Sequence, residues 1–86
     1  MYRVRLSKRA IKDADRLPDP IWQRVLEALR ALWKTPRPRD SLKLKGGEGF
    51  YRLRVGDYRI LYDIDDTSQE IMILRIQHRR EAYRDL

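Results

Sequence analysis

The sequence has no cysteine and a single histidine. Without cysteine there is no disulfide framework, no thiolate metal site and no thiol nucleophile. One histidine excludes a multi-histidine metal centre. No apolar run approaches the ~20 residues that a membrane-spanning helix needs. The N-terminus lacks the apolar core of a signal peptide, so a cytoplasmic location is expected. Negative charge is also scarce: 13 Asp and Glu stand against 20 Lys and Arg. The net charge is +7 and the pI about 10.1. A small basic domain points to a polyanionic partner, most often nucleic acid.

The charge is zoned along the chain. Residues 37–61 carry seven basic and three acidic side chains, and 62–72 carry four acidic and no basic ones. Residues 73–86 return to four basic and two acidic. One face or one end of the molecule is therefore expected to be cationic. With 86 residues, 42% of them hydrophobic, the chain is read as one domain over 1–86 with a modest core.

Tyr2, Val4 and Leu6 alternate with Arg3 and Arg5, which predicts a half-buried strand. Ser7 is placed to cap a helix over Lys8 to Leu17. Ala10, Ile11, Ala14 and Leu17 form its apolar stripe. Pro18-Asp19-Pro20 ends that helix. Asp19 is expected to cap a second one, with Pro20 at its first position. Ile21, Val25, Ala28, Leu29 and Leu32 are its stripe, widened by Trp22, Leu26 and Trp33. Pro36 and Pro38 stop it near Lys34. The period then falls to two. Leu42 and Leu44 alternate with Lys43 and Lys45 ahead of the loop Gly46-Gly47-Glu48-Gly49. Phe50 to Val55 and Tyr58 to Ile64 read as strands joined by a Gly56-Asp57 turn, with glycine where φ must be positive. A polar turn over 65–69 leads to a third strand, Glu70 to Gln77. A charged tail follows, with a helical turn from Glu81. The expected fold is α+β in the order β-α-α-β-β-β. Its antiparallel sheet joins the N-terminal strand to a three-strand meander, and the helical hairpin packs on one face.

A two-residue turn fixes the hairpin register. Arg54 then opposes Arg59, and Arg52 opposes Leu61. Leu53, Val55, Tyr58, Ile60, Tyr62 and Ile64 share the core face. On the third strand, Met72, Leu74 and Ile76 are expected on that face. Arg75, Gln77 and Arg79 fall on the other, with Ile71 and Ile73. Four or five arginines thus converge on one face of the sheet. Directly opposed like charges destabilise a sheet. An anionic ligand such as a phosphate removes that cost. The competing reading is an ordinary solvated face.

The tail His78-Arg79-Arg80-Glu81-Ala82-Tyr83-Arg84 adds basic residues beside an aromatic, a pairing suited to phosphate contact and base stacking. Lys43 and Lys45 are candidates to extend a basic groove. Arg75, His78 and Arg80 complete the candidate RNA contacts.

The segments YRLRVGDYRILYDI, HRREAYRDL and KLKG, with the element order, resemble the RelE/ParE toxin superfamily over almost the whole chain. The Arg-Arg-Glu-Ala-Tyr ending is similar to the RelE branch. The resemblance implies the toxin of a toxin–antitoxin module, acting as a ribosome-dependent mRNA endonuclease. It implies no metal and no other cofactor. Carried onto matching positions, it implies catalytic roles for Arg52, Arg54, Arg59 and Arg79, and a base-stacking role for Tyr83. The implied chemistry is attack of a ribose 2′-OH on the adjacent phosphate, with arginines stabilising the developing charge. The best-known RelE has lysines where this chain has Arg52 and Arg54. Arginine stays charged and is no base. The proton acceptor is therefore left open between Tyr83, His78 and the ribosome. The resemblance also implies a cognate antitoxin that masks the arginine face or displaces the Tyr83 segment. Two other readings stand beside it: a ParE-type inhibitor of DNA gyrase, and a catalytically silent module binding antitoxin or nucleic acid.

Overall fold

The computed structural model describes residues 1–44 and 49–84. The elements are β1 (Arg3–Leu6), α1 (Lys8–Asp15), α2 (Asp19–Lys34), β2 (Ser41–Lys43), β3 (Phe50–Val55), β4 (Tyr58–Asp65), β5 (Glu70–His78) and α3 (Arg79–Arg84). The five strands form one sheet in the order β1-β5-β4-β3-β2. Helix α1 packs over β1 and β5, and α2 over β1 and β3. No helix among the described residues is long and apolar enough to cross a membrane.

The expected α+β architecture is present, with two differences. The sheet is mixed: β1 runs parallel to β5, pairing Arg3 with Glu70 and Leu6 with Ile73. The helices carry the chain from β1 at one edge of the sheet to β2 at the other, and three antiparallel reversals then bring β5 back beside β1 in the same direction. The sheet also gains a fifth strand, because the alternating segment at Leu42 pairs with β3.

Local signals set the helix ends. The Ser7 hydroxyl accepts a hydrogen bond from the Ala10 N–H at 3.1 Å. It also donates to the Leu74 carbonyl at 3.0 Å, tying the cap to β5. Asp19 does not cap α2 as expected: Pro18 holds the N-cap position without a side-chain bond, and Asp19 and Pro20 fall in the first turn. There the carboxylate of Asp19 faces the positive end of the helix dipole. Helix α1 stops at Asp15, two residues before the expected end, and Ile11 is 49% exposed rather than packed. The core lies between the two helices and one sheet face. It consists of Ala10, Val25, Leu29, Leu32, Leu53, Ile60, Tyr62, Ile64, Ile71, Ile73 and Ile76. Trp33 stays exposed and lines an apolar groove with Val4, Leu6, Leu26 and Leu29.

The hairpin register is as derived from the turn, with Arg54 opposite Arg59 and Val55 opposite Tyr58. Gly56 has φ +58°, a conformation side chains rarely adopt. The third long strand differs. Leu61 pairs with Arg75 while Tyr62 pairs with Ile73, so Leu74 is an extra residue on β5. This β-bulge flips the side-chain parity. Ile71 and Ile73 are fully buried in the core, and Met72 takes the opposite face beside Asp63. The expected assignments of Met72 and Ile71/Ile73 are reversed for that reason. Beyond the bulge, Ile76 is in the core, while Arg75 and Gln77 share the other face. The faces expected for those three stand.

Candidate functional site

Opposed residues of an antiparallel pair leave the sheet on the same side, so the register lays out the face opposite α1 and α2 row by row. Nearest the β3–β4 turn, Arg54, Arg59 and Gln77 stand side by side. The next row is Leu42, Arg52, Leu61 and Arg75. Then come Phe50, Asp63, Met72 and Arg5, and last Asp65, Glu70 and Arg3. One end of this face is cationic and the far end is mainly acidic. A band containing Leu42, Leu61, Phe50 and Met72 lies between them.

Arg59 is central to the cationic end. It is only 8% exposed, between Arg54 on one strand and Gln77, 2% exposed, on the other. Its Nη1 donates to the Tyr58 carbonyl at 3.2 Å. No described carboxylate forms an ion pair with it. Arg54 is exposed and folds over the turn, its Nε donating to the Gly56 carbonyl at 3.1 Å. Arg52 is half-buried between Leu42 and Leu61. Arg79 is exposed just past β5, and its backbone N–H donates to the Asp57 carbonyl at 2.7 Å. It therefore stands at the turn end, beside the Arg54–Arg59 row.

The other candidates separate from this group. Arg75 shares the face but is engaged. Its Nε and Nη2 donate to the two Asp13 oxygens at 2.8 and 3.2 Å. Lys43 is exposed and pairs with Tyr51, so it leaves the sheet on the helix side, away from the arginines. His78 pairs with Tyr58 and also lies on the helix side, at the same strand parity as Ile76. Arg80 is exposed on α3. Tyr83 falls on α3, its side chain outside what is described, and Lys45 lies outside the described residues. The structure thus brings Arg52, Arg54 and Arg59 to one end of one face, with the Arg79 backbone tied to the adjoining turn. A guanidinium group can donate two parallel hydrogen bonds to a phosphate, which is the chemistry this cationic end offers.

The family model for the ParE toxin of type II toxin–antitoxin systems (parDE) matches residues 4–83. The chain belongs to the RelE/ParE toxin family. Toxin RelG of Mycobacterium tuberculosis is 36% identical over 84 residues, covering 96% of this chain and 97% of that one. Toxin RelE of the same organism is 32% identical, with 96% and 87% covered. The archaeal RelE–RelB complex from Pyrococcus horikoshii OT3 superposes with a TM-score of 0.82 at 36% identity, covering 91% of this chain and 94% of that one.

Two features of this RelE/ParE chain were not visible in the sequence. The first is Asp13. Besides gripping Arg75, its Oδ2 accepts the Ile76 backbone N–H at 2.9 Å. Strand β1 pairs with β5 only as far as Ile73, so beyond the bulge the β5 edge turns to α1 for a partner. Burial pushes the Asp13 carboxyl up. Hydrogen bonds from Arg75 and Ile76 and the charges of Arg75 and Arg9 outweigh it and hold the pKa below its ordinary value. The second is a network at the other end of the sheet. Arg37 donates to both Asp66 oxygens at 3.2 and 2.8 Å, and to the Tyr51 hydroxyl at 2.8 Å. Tyr2 donates to Asp66 at 2.7 Å, and Tyr62 to the Pro36 carbonyl at 3.0 Å. This clamps the α2–β2 connection and the N-terminus to the β4–β5 turn. Both features join residues far apart in sequence, and neither partner carries a local motif.

Proposed function

We propose that this chain is the toxin of a toxin–antitoxin module and that it cuts messenger RNA on the ribosome. The observation that carries the reading is Arg59, a buried charge set beside Arg54 on the sheet face away from the two long helices. In the free protein that placement costs stability through desolvation and like-charge repulsion. A phosphodiester in the site offsets both. The 2′-oxygen of one ribose attacks the adjacent phosphorus and the bond to the 5′-oxygen breaks. The products are a 2′,3′-cyclic phosphate and a free 5′-hydroxyl. The proton that leaves the 2′-hydroxyl is balanced by the one gained at the 5′-oxygen. Arg59 stabilises the phosphorane as charge builds on it, with Arg52 and Arg54 on its non-bridging oxygens. Arg79 assists at the leaving oxygen. Tyr83 stacks on a base and holds the attacking and leaving oxygens in line. Charge stabilisation by arginine needs no metal and no other cofactor.

The P. horikoshii structure is of a RelE–RelB complex, and a solved M. tuberculosis structure, RelBE2, is of a toxin–antitoxin complex. By that likeness this chain takes a cognate antitoxin. An acidic segment suits the arginine face, and we place it there or in the position of residues 79–84.

Induction of the chain in a bacterial host, with translation and mRNA 5′ ends followed over minutes, tests the reading. The expected result is rapid translation arrest with cuts confined to translated messages, lost in Arg59→Ala and reduced in Tyr83→Phe. Arrest of replication with intact messages would instead establish a gyrase inhibitor. No growth effect at confirmed expression would leave a silent binding module.

A further inference from the structure

The single histidine stands next to the arginine site without belonging to its face. His78 ends β5 and pairs with Tyr58, so both rings leave the sheet on the helix side. The two rings meet edge to face, with centroids 5.3 Å apart and planes at 83°. That contact fixes the plane of the imidazole. Helix α3 starts at the next residue, Arg79. The first N–H groups of a helix have no partner inside it. Here the Arg79 N–H donates to the Asp57 carbonyl, and the Arg80 N–H to His78 Nδ1 at 3.3 Å. Nδ1 thus takes the place of the side-chain oxygen in an ordinary N-cap. An Nδ1 that accepts a hydrogen bond carries no proton, so the neutral ring bears its proton on Nε2.

We propose that His78 is a positioning residue for the RNA-cutting site, acting by capping α3 through Nδ1 rather than by touching RNA or moving a proton. This rests on the nuclease reading given above. Helix α3 carries Arg79, Arg80 and Tyr83, and six residues are too few for a helix to hold its own shape in water. Its root is held by two bonds, one to the β3–β4 turn and one to His78. The turn also fixes Arg54, which bonds to Gly56. The cap therefore sets the α3 residues relative to the arginines of the hairpin.

Side-chain geometry supplies the test. In asparagine the Oδ1 atom stands where Nδ1 stands in histidine, one bond beyond Cγ. In glutamine the oxygen is one bond further, near the place of Nε2. Single-turnover cleavage on programmed ribosomes is compared for the wild type, His78→Ala, His78→Asn and His78→Gln. Amide exchange at residues 79–84 is measured by NMR on the same free proteins. The expected result is a cleavage rate lowered about tenfold in His78→Ala and His78→Gln, and restored to within about threefold by His78→Asn. A tenfold loss converts to about 1.4 kcal/mol, within the range of a single helix cap. Exchange at Arg80 should speed up in Ala and Gln and return to the wild-type rate in Asn. An Asn variant as inactive as the Ala variant would mean that the ring itself is needed, and would overturn the proposal. Unchanged exchange at Arg80 in His78→Ala would overturn it as well. A wild-type chain that cuts no message would sink the nuclease reading and the positioning role with it, and the exchange data would still decide whether the cap exists.

Discussion

Arg59 and Asp13 show two ways of burying a charge. Asp13 is paired twice, to Arg75 and to the Ile76 N–H. Arg59 has a single carbonyl bond and a like charge opposite it. Replacing each should therefore act in opposite directions. Arg59→Gln keeps a donor for Tyr58 and removes the repulsion. It should leave urea stability unchanged or raise it by about 0.2–1 kcal/mol, while cleavage falls about 10²–10³-fold. A clear loss of stability would make Arg59 structural. Asp13→Asn keeps an acceptor but loses the charge, and should cost about 1–3 kcal/mol at neutral pH. Because the Asp13 pKa is lowered from 3.8, its contribution is complete above that value and is lost as the pH falls through the folded-state pKa. Urea titrations from pH 6 to 2 should show the wild-type advantage over Asp13→Asn shrinking only in the acid range. An advantage that stays constant to pH 2 would mean that the carboxylate charge contributes nothing.

At the level of elements, much was legible because its causes are local. Ser7 announced α1, the prolines bracketed α2, and Gly56-Asp57 fixed which arginine faces which across the hairpin. The bulge at Leu74 was not legible. Ile71, Met72, Ile73 and Leu74 are all apolar, so no alternation marks which of them faces the core. The parallel pairing of β1 was equally hidden, since its partner β5 lies at the far end of the sequence and nothing local marks the pairing. The bulge lets one strand bury Ile71 and Ile73 and still turn Arg75 and Gln77 to the opposite face. It follows that Ile73→Ala should cost about 2–5 kcal/mol, as for a filled core site. Met72→Ala, on the other face and partly exposed, should cost under about 1.5 kcal/mol. Equal losses in chemical denaturation would contradict the parity switch.

For the molecule as a whole, the zoned charge of the sequence became a gradient across one sheet face. The arginine end was legible from hairpin register. The separation of His78 followed from its parity with Ile76, but that of Arg75 and Lys43 was not legible, because each depends on a partner distant in sequence or on a strand pairing with no marker. The cationic end sets how binding responds to salt. A single-stranded RNA contacting Arg52, Arg54 and Arg59 releases counterions with a slope of about −0.7 per phosphate, or roughly −2 in log affinity against log salt. Fluorescence anisotropy with a short RNA should show that slope reduced by about 0.7 in Arg52→Gln, and unchanged in Lys43→Gln. The seam between β1 and β5 has a different consequence, in time rather than space. Arg3 to Leu6 find their strand partners only in Glu70 to Ile73. During synthesis the first strand to emerge must wait for the last, and pairings so distant in sequence form late. Gln77, the neighbour that closes in on Arg59, also arrives with that last strand. A nascent chain therefore has no finished arginine site until β5 has left the ribosome making it.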